Sequence, residues 1–164
     1  MNPTVRKGLV VAALHVAVVA SLGAKLLVDR ATRPRVWARA APFDPNLPIR
    51  GRYVRLRVEA VPAPGLRESG SPSINVVLSE LNGRLVASPT TAGGLSAQVI
   101  DRSGERRVTL MEPLAYFIPE HVADPSRRPS GEELWVEVTI PRAGAPRPIR
   151  LGVMKDGALK ALEE

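Results

Sequence analysis

The chain contains no cysteine. Disulfides, thiolate nucleophiles and cysteine-held metals are therefore excluded over all 164 residues, and the redox state of the compartment is left open. Aromatic side chains are also scarce, with two Trp, two Tyr and two Phe, too few for the base-stacking platforms that accompany arginines in nucleic-acid binders. No nucleic-acid partner is expected. Histidine occurs only at 15 and 121, so no paired-histidine metal motif exists. A phosphate-binding glycine loop is missing, and Ser69-Gly70-Ser71 lacks the strand-to-elbow-to-helix setting that activates a serine. No cofactor is expected.

Proline and glycine, by contrast, are plentiful at sixteen and thirteen, which breaks the chain too often for many long helices and suits short strands joined by turns. One long apolar run stands apart. From Gly8 to Ala24 there is no formal charge, and the run continues through Leu26, Leu27 and Val28 with Lys25 snorkelling to headgroups. As a helix, 8–28 would span about 31 Å, the thickness of a bilayer's hydrocarbon core. A cleaved signal ending near Ser21-Leu22-Gly23 competes, but the run exceeds an ordinary signal core, so the sequence predicts a single-pass anchor behind a short basic N-terminus, 1–7. Within it, Ala13, Ala17 and Ser21 form a small-residue stripe, and His15 is the one strongly polar side chain in the uncharged stretch. The basic residues after the helix favour a cytoplasmic domain by plain count. A helix this near the N-terminus resembles a targeting segment, and on that ground the domain is expected outside the cytoplasm.

Positive charge is local. Residues 25–57 hold nine Lys or Arg against Asp29 and Asp44, while the rest of the chain nearly cancels. Pro34, Pro42, Pro45 and Pro48 fall among these arginines, so 29–48 is expected to be an extended, irregular juxtamembrane spacer. Arg30, Arg33, Arg35 and Arg39 are its candidates for contact with anionic lipid headgroups or an acidic partner surface, with Trp37 and Phe43 as interfacial anchors.

From residue 49 to 164 the pattern is that of one β-rich domain. Arg50-Gly51-Arg52-Tyr53-Val54-Arg55-Leu56-Arg57-Val58 alternates charge and hydrocarbon, which puts Val54, Leu56 and Val58 on a core face and Arg55, Arg57, Tyr53 and Glu59 on the other. Segments 74–78 and 84–87 flank Asn82-Gly83, a tight-hairpin signal. Segments 95–100 and 107–111 flank a four-residue loop, 101–104, and 149–154 and 158–162 flank Lys155-Asp156-Gly157. Leu134, Val136, Val138 and Ile140 alternate before Pro141. The fold class is mainly β: an N-terminal transmembrane helix, then a single antiparallel domain of about seven strands, sandwich or partly open barrel.

Two loops are long, 61–73 and 120–133. The second carries His121, Asp124, Arg127, Arg128, Glu132 and Glu133, without recognisable metal-ligand spacing. It has the more varied chemistry of the two.

Gly51-Arg52-Tyr53-Val54-Arg55-Leu56-Arg57-Val58, preceded by Asp44-Pro45-Asn46-Leu47-Pro48-Ile49-Arg50, resembles the signature of the GDYXXLXY family of bacterial proteins. Gly51, Tyr53 and Leu56 fall on named positions, whereas Arg52 replaces the aspartate and Val58 the final tyrosine. Tyr116-Phe117-Ile118-Pro119-Glu120 is similar to a segment in that family's second half, although His121 stands where glycine commonly follows. The resemblance implies a membrane-anchored protein that accompanies a multi-spanning membrane protein and brings no catalytic residues. Gly51, Tyr53, Leu56, Tyr116, Phe117, Pro119 and Glu120 are then motif positions with structural roles. The function expected is a non-catalytic accessory or binding module. The alternative is an envelope hydrolase using Asp124, Glu132, Glu133 or His121.

Overall fold

The computed structural model describes residues 3–43, 53–64, 66, 73–102, 104–119 and 124–162. They belong to two units, Met1–Arg33 and Pro34–Glu164.

The first unit is one α-helix, α1, over Pro3–Thr32. Its stretch Val5–Thr32 is long and apolar enough to cross a membrane, and its apolar side chains are exposed. A helix suits such a segment because every backbone polar group finds its partner locally. The few polar side chains do the same. The imidazole of His15 donates from Nδ1 to the Val11 carbonyl at 2.8 Å, and the hydroxyls of Ser21 and Thr32 donate to the carbonyls of Val18 and Val28, also at 2.8 Å. At the C-terminal end Arg33 pairs with Asp29 at 3.4 Å, and Arg30 lies in the last turn, where positive charge complements the helix dipole. The helix is longer than the 8–28 span expected from the apolar run. It takes in part of the basic N-terminal segment and the start of the expected spacer.

The second unit is built from β1 (Arg35–Pro42), β2 (Tyr53–Pro62), β3 (Ile74–Leu81), β4 (Arg84–Pro89), β5 (Leu95–Arg102), β6 (Glu105–Leu110), β7 (Leu114–Phe117), β8 (Glu132–Thr139), β9 (Arg147–Lys155) and β10 (Ala158–Ala161). That makes ten strands among the described residues, where about seven were expected. The sheet order is β10-β9-β8-β1-β4-β3-β5-β6-β2-β7, with further ladders from β2 to β1 and to β4. Followed from β2 through β6, β5, β3 and β4, the pairings return to β2, so the sheet curls into a barrel-like ring. The ladder β8-β9-β10 extends from the far edge of β1. The domain is not purely antiparallel: β4 runs parallel to β2 at Val61↔Val86 and to β1 at Trp37↔Arg84.

Turn chemistry sets the registers. Asn82 and Gly83 have φ of 53° and 73°, the left-handed pair of a two-residue hairpin turn between Leu81 and Arg84. Asp156 and Gly157 repeat it at 50° and 79° between Lys155 and Ala158. Between β5 and β6 the loop is tighter than expected, because Asp101 and Arg102 stay in the ladder opposite Arg106 and Glu105.

The expected spacer is corrected most strongly. Its described part is helix to Thr32 and then β1, which pairs with β8 on one edge and with β2 and β4 on the other. Val36, Ala38 and Ala40 are buried, whereas Arg35, Trp37 and Arg39 take the opposite face. Pairing on both edges and burial of one face outweigh alanine's weak preference for strands. Only Arg33 and Pro34 separate helix from strand. Residues 44–48 of the expected spacer lie outside the described part.

The core is aliphatic, with Leu56, Val58, Val76, Val108, Val136 and Val138 its largest fully buried side chains. The expected alternation of β8 is met: Leu134, Val136, Val138 and Ile140 are all buried, with a register shift between Glu137 and Val138.

Candidate functional site

On the outward face of β1, register assembles charges that are far apart in sequence. Arg39 stands beside Glu59 of β2 on one side and Trp135 of β8 on the other. Trp37 stands beside Glu137 of β8 and Arg84 of β4. Glu59 in turn faces Thr109 of β6, and Arg107, two residues earlier, shares that side of the strand. Of these, Arg39, Glu59, Arg84 and Arg107 line a cleft of about 320 Å³ whose walls include both tryptophans of the chain and Met154.

The charges form pairs. Arg39 places Nη2 2.8 Å from Glu133 and Nε 3.9 Å from Glu59, whose carboxylate is almost wholly buried. Arg107 donates from Nη2 to Glu105 at 2.7 Å. Glu105 is the exposed member of that pair: its side chain is 64% exposed and that of Arg107 only 16%. The hydrogen bond and charge of Arg107 hold the Glu105 carboxyl below its ordinary range against an opposing effect of burial, with the charges of Arg39 and Arg84 adding less. Arg150 donates to Glu137 at 2.7 Å while its guanidinium sits 5.4 Å from the Trp37 ring centre. Trp37 reaches across to β9, where a Cβ on Gly152 would lie 2.7 Å from Cζ3 of the indole. Gly152 therefore makes room for the ring. Two buried polar atoms in this region, Nε of Arg107 and Oγ1 of Thr109, have no hydrogen-bond partner.

The long-loop acids do not converge. Asp124 accepts from the backbone N–H and hydroxyl of Ser126 at 2.9 and 2.7 Å. Glu132 pairs with Lys155 at 3.3 Å and Arg128 at 3.8 Å and lines an open depression of about 440 Å³ with Ser126 and Arg127. Glu133, its neighbour in β8, instead meets Arg39 and accepts from the Trp135 indole at 3.4 Å. His121 lies outside the described residues, among which no group of three side chains is arranged to hold a metal.

Comparison with protein-family models, curated proteins and solved structures found no match. The likeness to the GDYXXLXY signature thus rests on the quoted residues, and Gly51 and Glu120 among them lie outside the described part. The remaining segments are sheet neighbours. Tyr53 pairs with Phe117, Val54 with Tyr116 and Leu56 with Leu114 across the β2–β7 ladder. Leu56 and Tyr116 face the core and Pro119 is half-buried, whereas Phe117 and Tyr53 project from the outer side.

The four basic candidates separate. Arg30 belongs to α1, Arg33 follows its last residue, Arg35 opens β1, and Arg39 is engaged by two carboxylates within the β-domain. Trp37 and Phe43, expected as interfacial anchors, are covered by Arg150 and Arg57 respectively, the latter 4.7 Å from the phenyl centre. Sequence reasoning missed Glu59, Arg84, Glu105, Arg107 and Trp135 as a group. The local signal was faint: Arg35, Trp37 and Arg39 alternate with small apolar residues, and Glu105 and Arg107 share one strand face.

Proposed function

We propose that the protein is a membrane-anchored, non-catalytic binding module that accompanies an integral membrane protein. The observation that carries this reading is the two-residue join, Arg33 and Pro34, between an apolar helix and a central strand of the sheet. A domain tied this closely to a spanning helix stays near the bilayer, where an integral protein is within reach. The resemblance to the GDYXXLXY family supports the same reading, as does the lining of the cleft, where Arg39, Arg84 and Arg107 outnumber Glu59 and Glu105 and cations, rather than a nucleophile and its base, are the prominent chemistry. Arg30, Arg33 and Arg35 suit anionic headgroups beside the helix end.

Purification of the full chain from mild detergent, with mass spectrometry of what accompanies it, tests the proposal. A specific integral membrane protein is expected. A clean monomer at native expression, with nothing captured after cross-linking, would count decisively against it. The β-domain is proposed to face away from the cytoplasm, for which active alkaline phosphatase fused after Glu164 is the expected result and a stable, inactive fusion the opposite one. The hydrolase alternative is disfavoured by the divergent placement of Glu132 and Glu133.

A further inference from the structure

We infer that the cleft between Trp37 and Trp135 receives a carboxylate-bearing peptide segment of the membrane partner, held by Arg84 and Arg107 in the position that Glu105 occupies when the partner is absent. This rests on the binding-module reading and names the chemistry of its surface.

Glu105 shows what the cleft accepts. One carboxylate already sits within the influence of three guanidiniums, bonded to Arg107 and attracted by Arg39 and Arg84. Yet its side chain is largely exposed and follows a glycine turn at φ 79°, whereas Arg107 is largely enclosed. The acid is exchangeable and the cation is built in. Arg84 lines the same cleft, is exposed, and forms none of the ion pairs of its neighbours. Arg107 has its Nε buried and offers Nη2, the atom bonded to Glu105, as the donor that a replacing carboxylate would take over.

The rest of the lining narrows the ligand. Once Glu105 is displaced, Arg39, Arg84 and Arg107 stand against Glu59 in the lining and Glu133 on Arg39, which leaves one excess positive charge and matches a carboxylate better than a dianionic phosphate. Guanidinium forks match the planar carboxylate in geometry as well as charge. The two indoles and Met154 add apolar wall, which suits the hydrocarbon of neighbouring peptide side chains. A volume of about 320 Å³ takes a short segment rather than a folded surface.

Both tryptophans of the chain line the cleft, so their emission reports its occupancy. The full chain in mild detergent is titrated with acetyl-Leu-Glu-Leu-amide, with its glutamine counterpart, with acetyl-Leu-Gln-Leu as free acid, and with inorganic phosphate. A saturable change is expected with the glutamyl peptide or the free acid, the stronger of the two identifying a side-chain or a terminal carboxylate as the source. It should weaken about tenfold in Arg84→Gln and for the neutral peptide, and strengthen several-fold in Glu105→Gln, where the internal competitor loses its charge. Loss of folding cannot produce that gain. Equal response to the glutamine peptide or to phosphate, no response to either carboxylate peptide, or weaker binding in Glu105→Gln overturns the proposal. Co-purification of the same membrane protein by wild type and Arg84→Gln in equal yield also overturns it, while leaving the binding-module reading intact.

Discussion

Replacing Gly152 by alanine tests the packing that holds the cleft together. The added methyl would lie 2.7 Å from Cζ3 and 2.9 Å from Cη2 of Trp37, and 3.1 Å from the Lys160 carbonyl oxygen. Ordinary carbon contacts lie near 3.5–4.0 Å, so the indole must retreat by roughly 1 Å. It cannot retreat freely, because Arg150 sits over its ring and is itself tied to Glu137. Overpacking of this kind costs about 1–3 kcal/mol. Restricting the unfolded chain returns about 0.4–1 kcal/mol, since glycine loses more freedom on folding than alanine. The net expectation is destabilisation by about 1–2 kcal/mol, or a melting temperature lower by about 3–8 °C for a domain of this size. Thermal unfolding of the full chain in detergent, followed by the β-sheet circular dichroism, measures it. Repeating the substitution in a Trp37→Leu background removes the colliding ring atoms, so the alanine should then cost markedly less. An unchanged or raised melting temperature in Gly152→Ala, or an equal cost in both backgrounds, refutes the collision.

Asn82→Val should destabilise the protein by about 1–2 kcal/mol in the same melting assay, because a β-branched residue is forced to φ near 53°, whereas Asn82→Gly should cost little. Arg39→Met removes a cation from the buried Glu59 carboxylate and from Glu133, and a loss of about 1–3 kcal/mol is expected, larger than for Glu133→Gln alone. Glu105 binds its proton less readily when folded than its ordinary value near 4.5 implies. The stability it adds is therefore present above that value and lost as pH falls through the lower folded one, so acid unfolding of Glu105→Gln should be less steep over that window.

The hairpins were legible because their signals are local: Asn82-Gly83 and Asp156-Gly157 specify turns, and the alternation of Leu134, Val136, Val138 and Ile140 specifies a buried face. β1 was misread for the complementary reason. Its core side is Val36, Ala38 and Ala40, two of them residues that favour strands only weakly, and its outer side is arginine and tryptophan among prolines. What makes it a strand lies elsewhere in the chain, in ladders to β2 and β8. β7 is four residues long and too short to show a period. The cleft was invisible on the same ground, since Glu59, Arg84, Arg107 and Trp135 become neighbours only once those ladders form. The unbalanced charge between 25 and 57 singled out Arg39 as a cation in need of a counter-charge, but not that Glu59 and Glu133 supply it.

The place of β1 also sets an order of events during synthesis. The strand follows the apolar helix at once, yet Arg35 and Thr139, which pair in the finished sheet, are roughly a hundred residues apart, a separation that makes closure slow. While the intervening chain is being made, β1 waits at the end of the apolar helix with an edge to be covered and Val36 without a core. Its alternating arginines then have a second use, keeping the nascent segment soluble and self-repelling until β8 arrives.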